Sequence, residues 1–326
     1  MTNVTIVVTP RERYSCTRQS LESIYQHTQF PFKLIYVDGN SPPKVRRYLQ
    51  DQARVLNLTH LRTDYYLSPN HARNLGLQQV TTKYVVFIDN DVIVSPGWLS
   101  QLVNCAETTE ATVVGPLMCQ DEPVHEIVHF AGGESHIFQD VRGRRRLREK
   151  MYFQGKKVAE IRHRLQRQET ELAEFHCVLI RSKIFEQLGF LDEGMLNTKE
   201  HLDFCMQVRQ NGGTVYFEPE AVVTYVPGPP LEYSDLTYYM LRWSDAWVLN
   251  SLQRLRQKWN LAEDSYFTTK YKGLGWRRRD SIITPLAIAI STLTLGKMRY
   301  RWERWLTWLD RRWNRYLTDR HPGVKN

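Results

Sequence analysis

The chain has 326 residues, 42% hydrophobic and 24% charged, a balance that excludes a disordered or collagen-like polymer and allows a core of ordinary size. Five cysteines, at 16, 105, 119, 177 and 205, form no Cys-x-x-Cys pair, which argues against a disulfide framework and a zinc ribbon and for a reducing compartment. The net charge of +9 is unevenly placed: residues 251–326 hold 17 Lys and Arg against 6 Asp and Glu, together with six of the nine tryptophans.

Residues 4–8, Val-Thr-Ile-Val-Val, read as a buried strand, without the basic flank and long apolar stretch of a signal peptide. Leu21, Ile24 and Tyr25 give helical spacing within 15–27. A second strand at 33–37 is stopped by Asp38-Gly39-Asn40-Ser41-Pro42-Pro43, and Ser68-Pro69 then opens a helix. Another strand follows at 84–88. This βαβαβ order predicts a parallel sheet covered by helices, with ligands at the carboxyl ends of its strands. From about 120 to 170 the rhythm fails around Arg142, Arg144, Arg145, Arg146 and Arg148. That segment is expected to be a mobile loop or small insert, its arginines solvated rather than holding an anion. Regular structure returns with a strand at 175–181, a helix from Ser182, a helix from about Glu200 to Gly212-Gly213, and two short strands at 214–217 and 221–226. Pro227-Gly228-Pro229-Pro230 marks the boundary between a body of residues 1–228 and a mainly helical extension, 229–326.

The strongest chemical signal is Val85-Val86-Phe87-Ile88-Asp89-Asn90-Asp91, a buried strand ending in two carboxylates one residue apart. Both can face a divalent cation, and Mg²⁺ or Mn²⁺ takes such oxygen ligands, completing its shell with water and phosphates. The plain alternative is a turn in which Asp89 and Asn90 bond the local backbone. Asp38 and Glu12 can accept hydrogen bonds from a base or ribose, and Arg73 is a donor suited to phosphate.

Three blocks, in order over about the first 225 residues, resemble the family 2 glycosyltransferases of the GT-A fold. The first runs from residue 4 to Thr9-Pro10-Arg11-Glu12-Arg13, with Tyr36-Val37-Asp38-Gly39-Asn40-Ser41 similar to the family's second strand. His71-Ala72-Arg73-Asn74-Leu75-Gly76 resembles its Ala-Arg-Asn-x-Gly helix, about 15 residues before the Asp-x-Asp. Residues 185–193, Glu200-His201-Leu202-Asp203 and Pro219-Glu220-Ala221 resemble the acceptor-side block. The resemblance implies a GT-A α/β nucleotide-binding sheet flanked by helices. It also implies transfer of a sugar, with inversion, from a nucleotide-sugar to the hydroxyl of a glycan, lipid-linked or small-molecule acceptor. Thr9, Pro10, Arg11, Glu12, Asp38, Arg73, Asp89 and Asn90 are then expected to hold the donor. Asp91 and Asp89 would hold a divalent cation that neutralises the leaving diphosphate.

Two positions depart from the family pattern. Its Glu-Asp pair is Glu200-His201 here, with Asp203 beyond, like a Glu-His-x-Asp subgroup. Glu200, His201 and Asp203 all compete for the role of base. Asp203 or Glu200 is preferred, with His201 positioning. Where the late strand often ends in a metal-binding His stands Tyr225. His176 reads as a packed or hydrogen-bonded histidine rather than a catalyst, and His125 and His129 as loop residues. A nucleotidyltransferase on a similar sheet is a rival reading, although Thr9-Pro10-Arg11-Glu12 lacks its glycine-rich loop. A catalytically dead nucleotide-sugar-binding scaffold is another, raised by His201 and Tyr225.

In the tail, Trp302, Trp305, Leu306, Leu309, Trp313, Tyr316 and Leu317 share one face of a helical wheel, opposite Arg301, Arg304, Arg311, Arg312 and Arg315. Such a helix suits an anionic membrane surface; the alternative is an aromatic stripe docked on the body. The expectation is a cytoplasmic protein attached peripherally, at the inner face of a membrane, through residues near 297–320. The 14-residue apolar run at 282–295 falls short of the about 20 residues needed to span a bilayer. No recognised nucleic-acid module appears, so no nucleic-acid partner is expected.

Overall fold

The computed structural model describes residues 3–226, 231–292 and 298–321. The expected boundary at 227–230 lies outside the described residues, as does the end of the apolar run at 293–295.

The β-branched runs form β1 (Val4–Thr9), β2 (Phe32–Gly39), β3 (Thr59–Thr63) and β4 (Tyr84–Asp89), which lie parallel in the order β4-β1-β2-β3. Every residue of β1 and β4 is buried, as expected for central strands covered on both faces. Then come β5 (Val92–Val94), β6 (Val113–Gln120), β7 (Ile127–Phe130), β8 (Gly133–Gln139), β9 (Arg145–Met151), β10 (Gln168–Thr170), β11 (Cys177–Arg181) and β12 (Val215–Tyr225).

The sheet differs from the expected parallel one. β11 pairs antiparallel with both β4 and β6, and the order continues β12-β6-β11-β4. Between β6 and β11 the chain makes a hairpin and short helical turns rather than a full crossover helix, so it can return antiparallel. The two short strands expected near 214–226 are one, β12, whose register shifts between Glu218 and Val222. Pro219 sits in that shift, where a ladder bond would need the N–H that it lacks.

Residues 120–170 are not a mobile loop. β7 adds to β6, and β8 pairs with β9 from Gly133↔Met151 to Gln139↔Arg145. Arg144, Arg146 and Arg148 are paired rather than free, Arg144 with Asp140, Arg146 with Asp264 at 2.6 Å and Arg148 with Glu134 at 2.9 Å, whereas Arg142 is exposed as expected. Arg145 donates to the Trp259 carbonyl, tying the hairpin to the C-terminal helices. Apolar periodicity misses such a hairpin because charged side chains hold it on both faces.

The helix Pro69–Leu77 packs on β1 at Gly76, where a Cβ would stand 2.3 Å from a Val7 methyl carbon. That close approach carries Arg73 under the carboxyl end of β4, and Asn74 fixes the helix by bonding both the N–H and the carbonyl of Leu191. The Ala-Arg-Asn-x-Gly pattern thus has a packing reason at each polar position.

The helix Arg299–Arg320 docks by a polar stripe, Asp310, Asn314 and Thr318, four residues apart. Asp310 receives the buried Arg278 guanidinium at 3.0 Å, and Asn314 bonds the Met240 carbonyl at 2.8 Å. Trp305, Trp308, Leu309, Trp313 and Tyr316 face outward, as do Arg301, Arg304, Arg311, Arg312 and Arg315. Trp302, Leu306 and Leu317 of the same stripe are half-buried, so the stripe shares in docking only along one side of the helix. Among the described residues no helix is long and apolar enough to cross a membrane.

Candidate active site

Register assembles the site at the carboxyl ends of β1 and β4. Thr9 pairs with Asp89, the Asp89 N–H donates to the His176 carbonyl at 2.9 Å, and the Asn90 N–H donates to the Thr9 carbonyl at 2.9 Å. The Asn90 side chain accepts from the Arg11 N–H and donates to the Arg13 carbonyl at 2.7 Å, locking the turn between the two aspartates. The Val226 N–H donates to the Asp91 carbonyl at 3.0 Å, which brings the end of β12, and Tyr225, alongside.

Asp89, Asp91 and His176 then offer three ligand atoms within 4.8 Å of one another. His176 is thus the hydrogen-bonded histidine that its sequence context allows, and it also belongs to this cluster. Its Nδ1 lies 2.9 Å from Asp89 Oδ2, and its ring stacks on Tyr225 at 4.0 Å between centroids. An imidazole is therefore present beside the tyrosine that stands in the expected histidine position. Asp91 is fully buried, and among the described residues neither of its carboxylate oxygens has a hydrogen-bond partner. Burial and the nearby carboxylates of Asp89 and Glu12 push its pKa well above the usual range. Two unpartnered carboxylate oxygens, a second carboxylate and an imidazole fit a divalent cation such as Mn²⁺. Glu12 accepts from the Tyr225 hydroxyl at 2.6 Å and from Arg277 at 3.3 Å, leaving one oxygen unpartnered.

The remaining expected donor residues divide. Arg11 lies 3.7 Å from Asp89 and 4.0 Å from Glu200, on the wall of a cavity of about 400 Å³. Arg73 spans Asp89 at 3.3 Å and Glu200 at 3.4 Å and is completely buried, so it ties two acidic groups together instead of standing open to phosphate. Asp38 accepts from the Ser41 N–H and hydroxyl, from Arg62 and from His60, so its carboxylate builds the turn after β2 instead of offering a free acceptor to a base. The Thr9 hydroxyl donates to Asp89 at 3.4 Å, and the Pro10 carbonyl accepts from Tyr238 at 3.2 Å.

On the acceptor side, Glu200 and His201 line the cavity and Asp203 does not. The Asp203 carboxylate is held by Lys258 at 2.7 Å, by the Trp259 ring N–H at 2.8 Å and by Gln207 at 2.8 Å, where it anchors its helix. Burial raises the Glu200 pKa, but Arg73, Arg242, His201 and Arg11 outweigh it and hold the carboxylate below the usual value. His201 Nε2 lies 3.3 Å from Glu174, a carboxylate that belongs to none of the three sequence blocks.

Arg242, Arg277 and Glu174 join the site without a motif to announce them. Asp235 clasps the turn after β1, accepting from the Tyr14 N–H at 2.8 Å and the Ser15 hydroxyl at 2.6 Å, and so lays the helix Leu236–Arg242 across the site. The Arg242 guanidinium is fully buried beside the Trp243 ring, and among the described residues none of its three nitrogens has a hydrogen-bond partner. Burial and the neighbouring Arg11 push its pKa down to about 10, with Glu200 and Glu12 pulling the other way. The adjacent Arg242-Trp243 pair is the only sequence trace of this, and nothing in local spacing ties it to Asp91.

The sequence model for glycosyl transferase family 2 matches residues 5–189. Among curated proteins, the O-antigen biosynthesis protein RfbC of Myxococcus xanthus is 26% identical over 58% of this chain. The pre-mycofactocin glycosyltransferase of Mycobacterium tuberculosis is 24% identical over 68% of it. The chain spans only 14% and 42% of those two proteins' own lengths. Among solved structures, S. aureus TarS 1-349 in complex with UDP aligns over 98% of this chain and 90% of its own, with a TM-score of 0.51 and 14% identity. GalNAc-T7 with UDP, GalNAc and Mn²⁺ aligns over 84% and 58%, with a TM-score of 0.54 and 16% identity. These likenesses bear out the GT-A fold.

Proposed function

The chain belongs to glycosyl transferase family 2, and from that premise we propose that it moves a sugar from a nucleotide-sugar donor to an acceptor hydroxyl, with inversion and with the help of a divalent cation. The observation that carries this reading is the buried cluster of Asp89, Asp91 and His176 beside the unpartnered Arg242 guanidinium. Carboxylates and an imidazole suit a cation, and an unpaired guanidinium suits the diphosphate that the cation would share. A bound cation supplies charge neutralisation as the diphosphate leaves. Arg242 and Arg11 add fixed positive charge at the same place, which is where electrostatic stabilisation acts. His201 takes the acceptor proton, with the Glu174 carboxylate 3.3 Å from its Nε2 to stabilise the imidazolium that forms. Glu200, tied to Arg73 and Arg11, positions that end of the site. In this reading residues up to 226 hold the cation, Arg242 joins Arg11 in holding the donor's diphosphate, and the other residues from 231 onward cover the site.

The test is a thermal-shift screen of UDP-, GDP-, dTDP- and CMP-sugars with Mn²⁺, led by UDP because two proteins of the same fold hold it. A donor at a hundredfold excess over its dissociation constant raises stability by about 2.7 kcal/mol. One nucleotide class should do so, and only with the cation. A flat response across the panel removes the donor and favours a scaffold without transfer.

The same reading places the protein on the surface of an anionic membrane. The support is the outward aromatic and arginine surface of the helix Arg299–Arg320. Each basic residue near such a surface contributes about 1 kcal/mol, screened by salt. The full chain should sediment with anionic liposomes at low salt and release at high salt. The pair Trp305→Ser and Trp313→Ser should weaken sedimentation at least tenfold, since both side chains are half-exposed and their loss leaves the Asp310 stripe intact. Equal sedimentation of variant and wild type would remove the aromatic face from the account.

A further inference from the structure

Beyond His201 and Glu200 the cavity has a second end, walled by Thr198, Lys199, Val248, Leu252, Thr269 and Lys270. Lys199 precedes the helix Glu200–Gln210 in the left-handed region, φ 71° and ψ 5°, an uncommon place for a residue with a Cβ. Its ammonium lies 2.6 and 2.9 Å from the two oxygens of Glu149 on β9, which also accepts from the Tyr266 hydroxyl at 2.5 Å. Burial raises the Glu149 pKa, but Lys199 and Lys270 overcome it and bring the carboxyl to about 2. Glu149 is therefore a committed anion that already has its cation.

Lys270, on the helix Ser265–Lys272, has no carboxylate within 4.0 Å among the described residues; the Tyr266 ring, 4.2 Å from its ammonium, is what it rests on. Burial and the Lys199 charge push its pKa down to about 8, with Glu149 pulling it back up. Two ammonium groups thus stand at one end of a cavity whose local carboxylate neutralises only one of them. A half-buried ammonium whose neighbours are a ring face and a carboxylate already paired with Lys199 keeps capacity for an anion, and packing at this position asks only for a long side chain. The cavity volume of about 400 Å³ is within the range of small-molecule sites.

We propose that this end of the cavity binds the acceptor through an anionic group, phosphoryl or carboxylate, held by Lys270 with Lys199 beside it. The inference rests on the glycosyl-transfer reading and adds the acceptor's class to it: a hydroxylated molecule whose reacting oxygen lies toward His201 and whose anion lies toward Lys270. A tetrahedral phosphoryl group offers several acceptor oxygens to two ammonium groups, and a carboxylate offers two.

The test uses the full chain with its lysines carrying ¹³C-dimethyl labels, the Lys270 signal being the one absent from Lys270→Met. The donor end is first filled with UDP and Mn²⁺. Glucose 1-phosphate, inorganic phosphate and glucuronate are then titrated separately. The expected result is a saturable shift of the Lys270 signal, with affinity at least tenfold weaker in Lys270→Met when the same anions are followed by calorimetry. A stronger response to the two phosphates assigns a phosphoryl acceptor, and a stronger response to glucuronate a carboxylate one. If none of the three moves the signal, or if UDP alone saturates it, the subsite proposal is overturned. Lys270→Gln repeats the comparison should Lys270→Met not fold. A failure of the donor reading looks different: UDP and Mn²⁺ do not bind, while the Lys270 signal still answers to phosphate.

Discussion

Asp91→Asn should abolish stabilisation by Mn²⁺ and lower sugar transfer about 10²–10³-fold, the usual scale for loss of one preorganised electrostatic contact. The metal-free variant should nevertheless be at least as stable as the wild type. Asp91 is buried without a hydrogen-bond partner on either oxygen, and the carboxylates of Asp89 and Glu12 repel its charge. A residue in that condition is unfavourable to the empty fold and suits one that holds a cation. The amide keeps the shape and removes the repulsion, so stability and function should move in opposite directions. Melting temperatures of both proteins, with and without Mn²⁺, read this directly. An equal response to Mn²⁺ in the two proteins would sink the cation assignment.

Arg242→Met should cost at least a hundredfold in affinity for a nucleoside diphosphate and almost nothing for the nucleoside alone. The guanidinium is fully buried, unbonded at all three nitrogens, and lowered to about 10 by burial and by Arg11. Removing one member of a buried charge pair typically costs 2–5 kcal/mol, and in the complex that pair is Arg242 with the diphosphate. Without ligand the sign reverses, because the shorter, apolar methionine removes an unpaired buried charge. Calorimetry with UDP, UMP and uridine separates the outcomes. A uniform loss across all three would mean that the helix Leu236–Arg242 had shifted, and an unchanged UDP affinity would exclude Arg242 from the donor site.

Much of the cation site is legible in the amino-acid sequence. A strand of Val85 to Ile88 ending in Asp-Asn-Asp can hardly avoid placing carboxylates at a sheet edge, since a buried strand has nowhere else to turn. The helix bearing Arg73, Asn74 and Gly76 is equally visible. Its pattern assigns the arginine to phosphate, whereas packing against β1 points it between Asp89 and Glu200. Asp203 illustrates the same limit, since it shares a helical turn with Glu200 yet faces Lys258 and Trp259.

Local spacing determined the strands β1, β2, β4 and β11, the Asp-Asn-Asp turn, the paired carboxylate and histidine at the start of the helix Glu200–Gln210, and the split of the last helix into aromatic and arginine faces. These depend on which residues sit two, three or four apart along the chain. Only the tertiary structure decided that His176 reaches Asp89 across the antiparallel β4–β11 pair, that Arg242 has no hydrogen-bond partner among the described residues, and that Asp310, Asn314 and Thr318 dock a helix whose Trp305, Trp308 and Trp313 face out. The physical reason is that a charge's partner and its burial are set by groups brought together from 87 residues away, as with His176 and Asp89, a separation over which periodicity carries no signal.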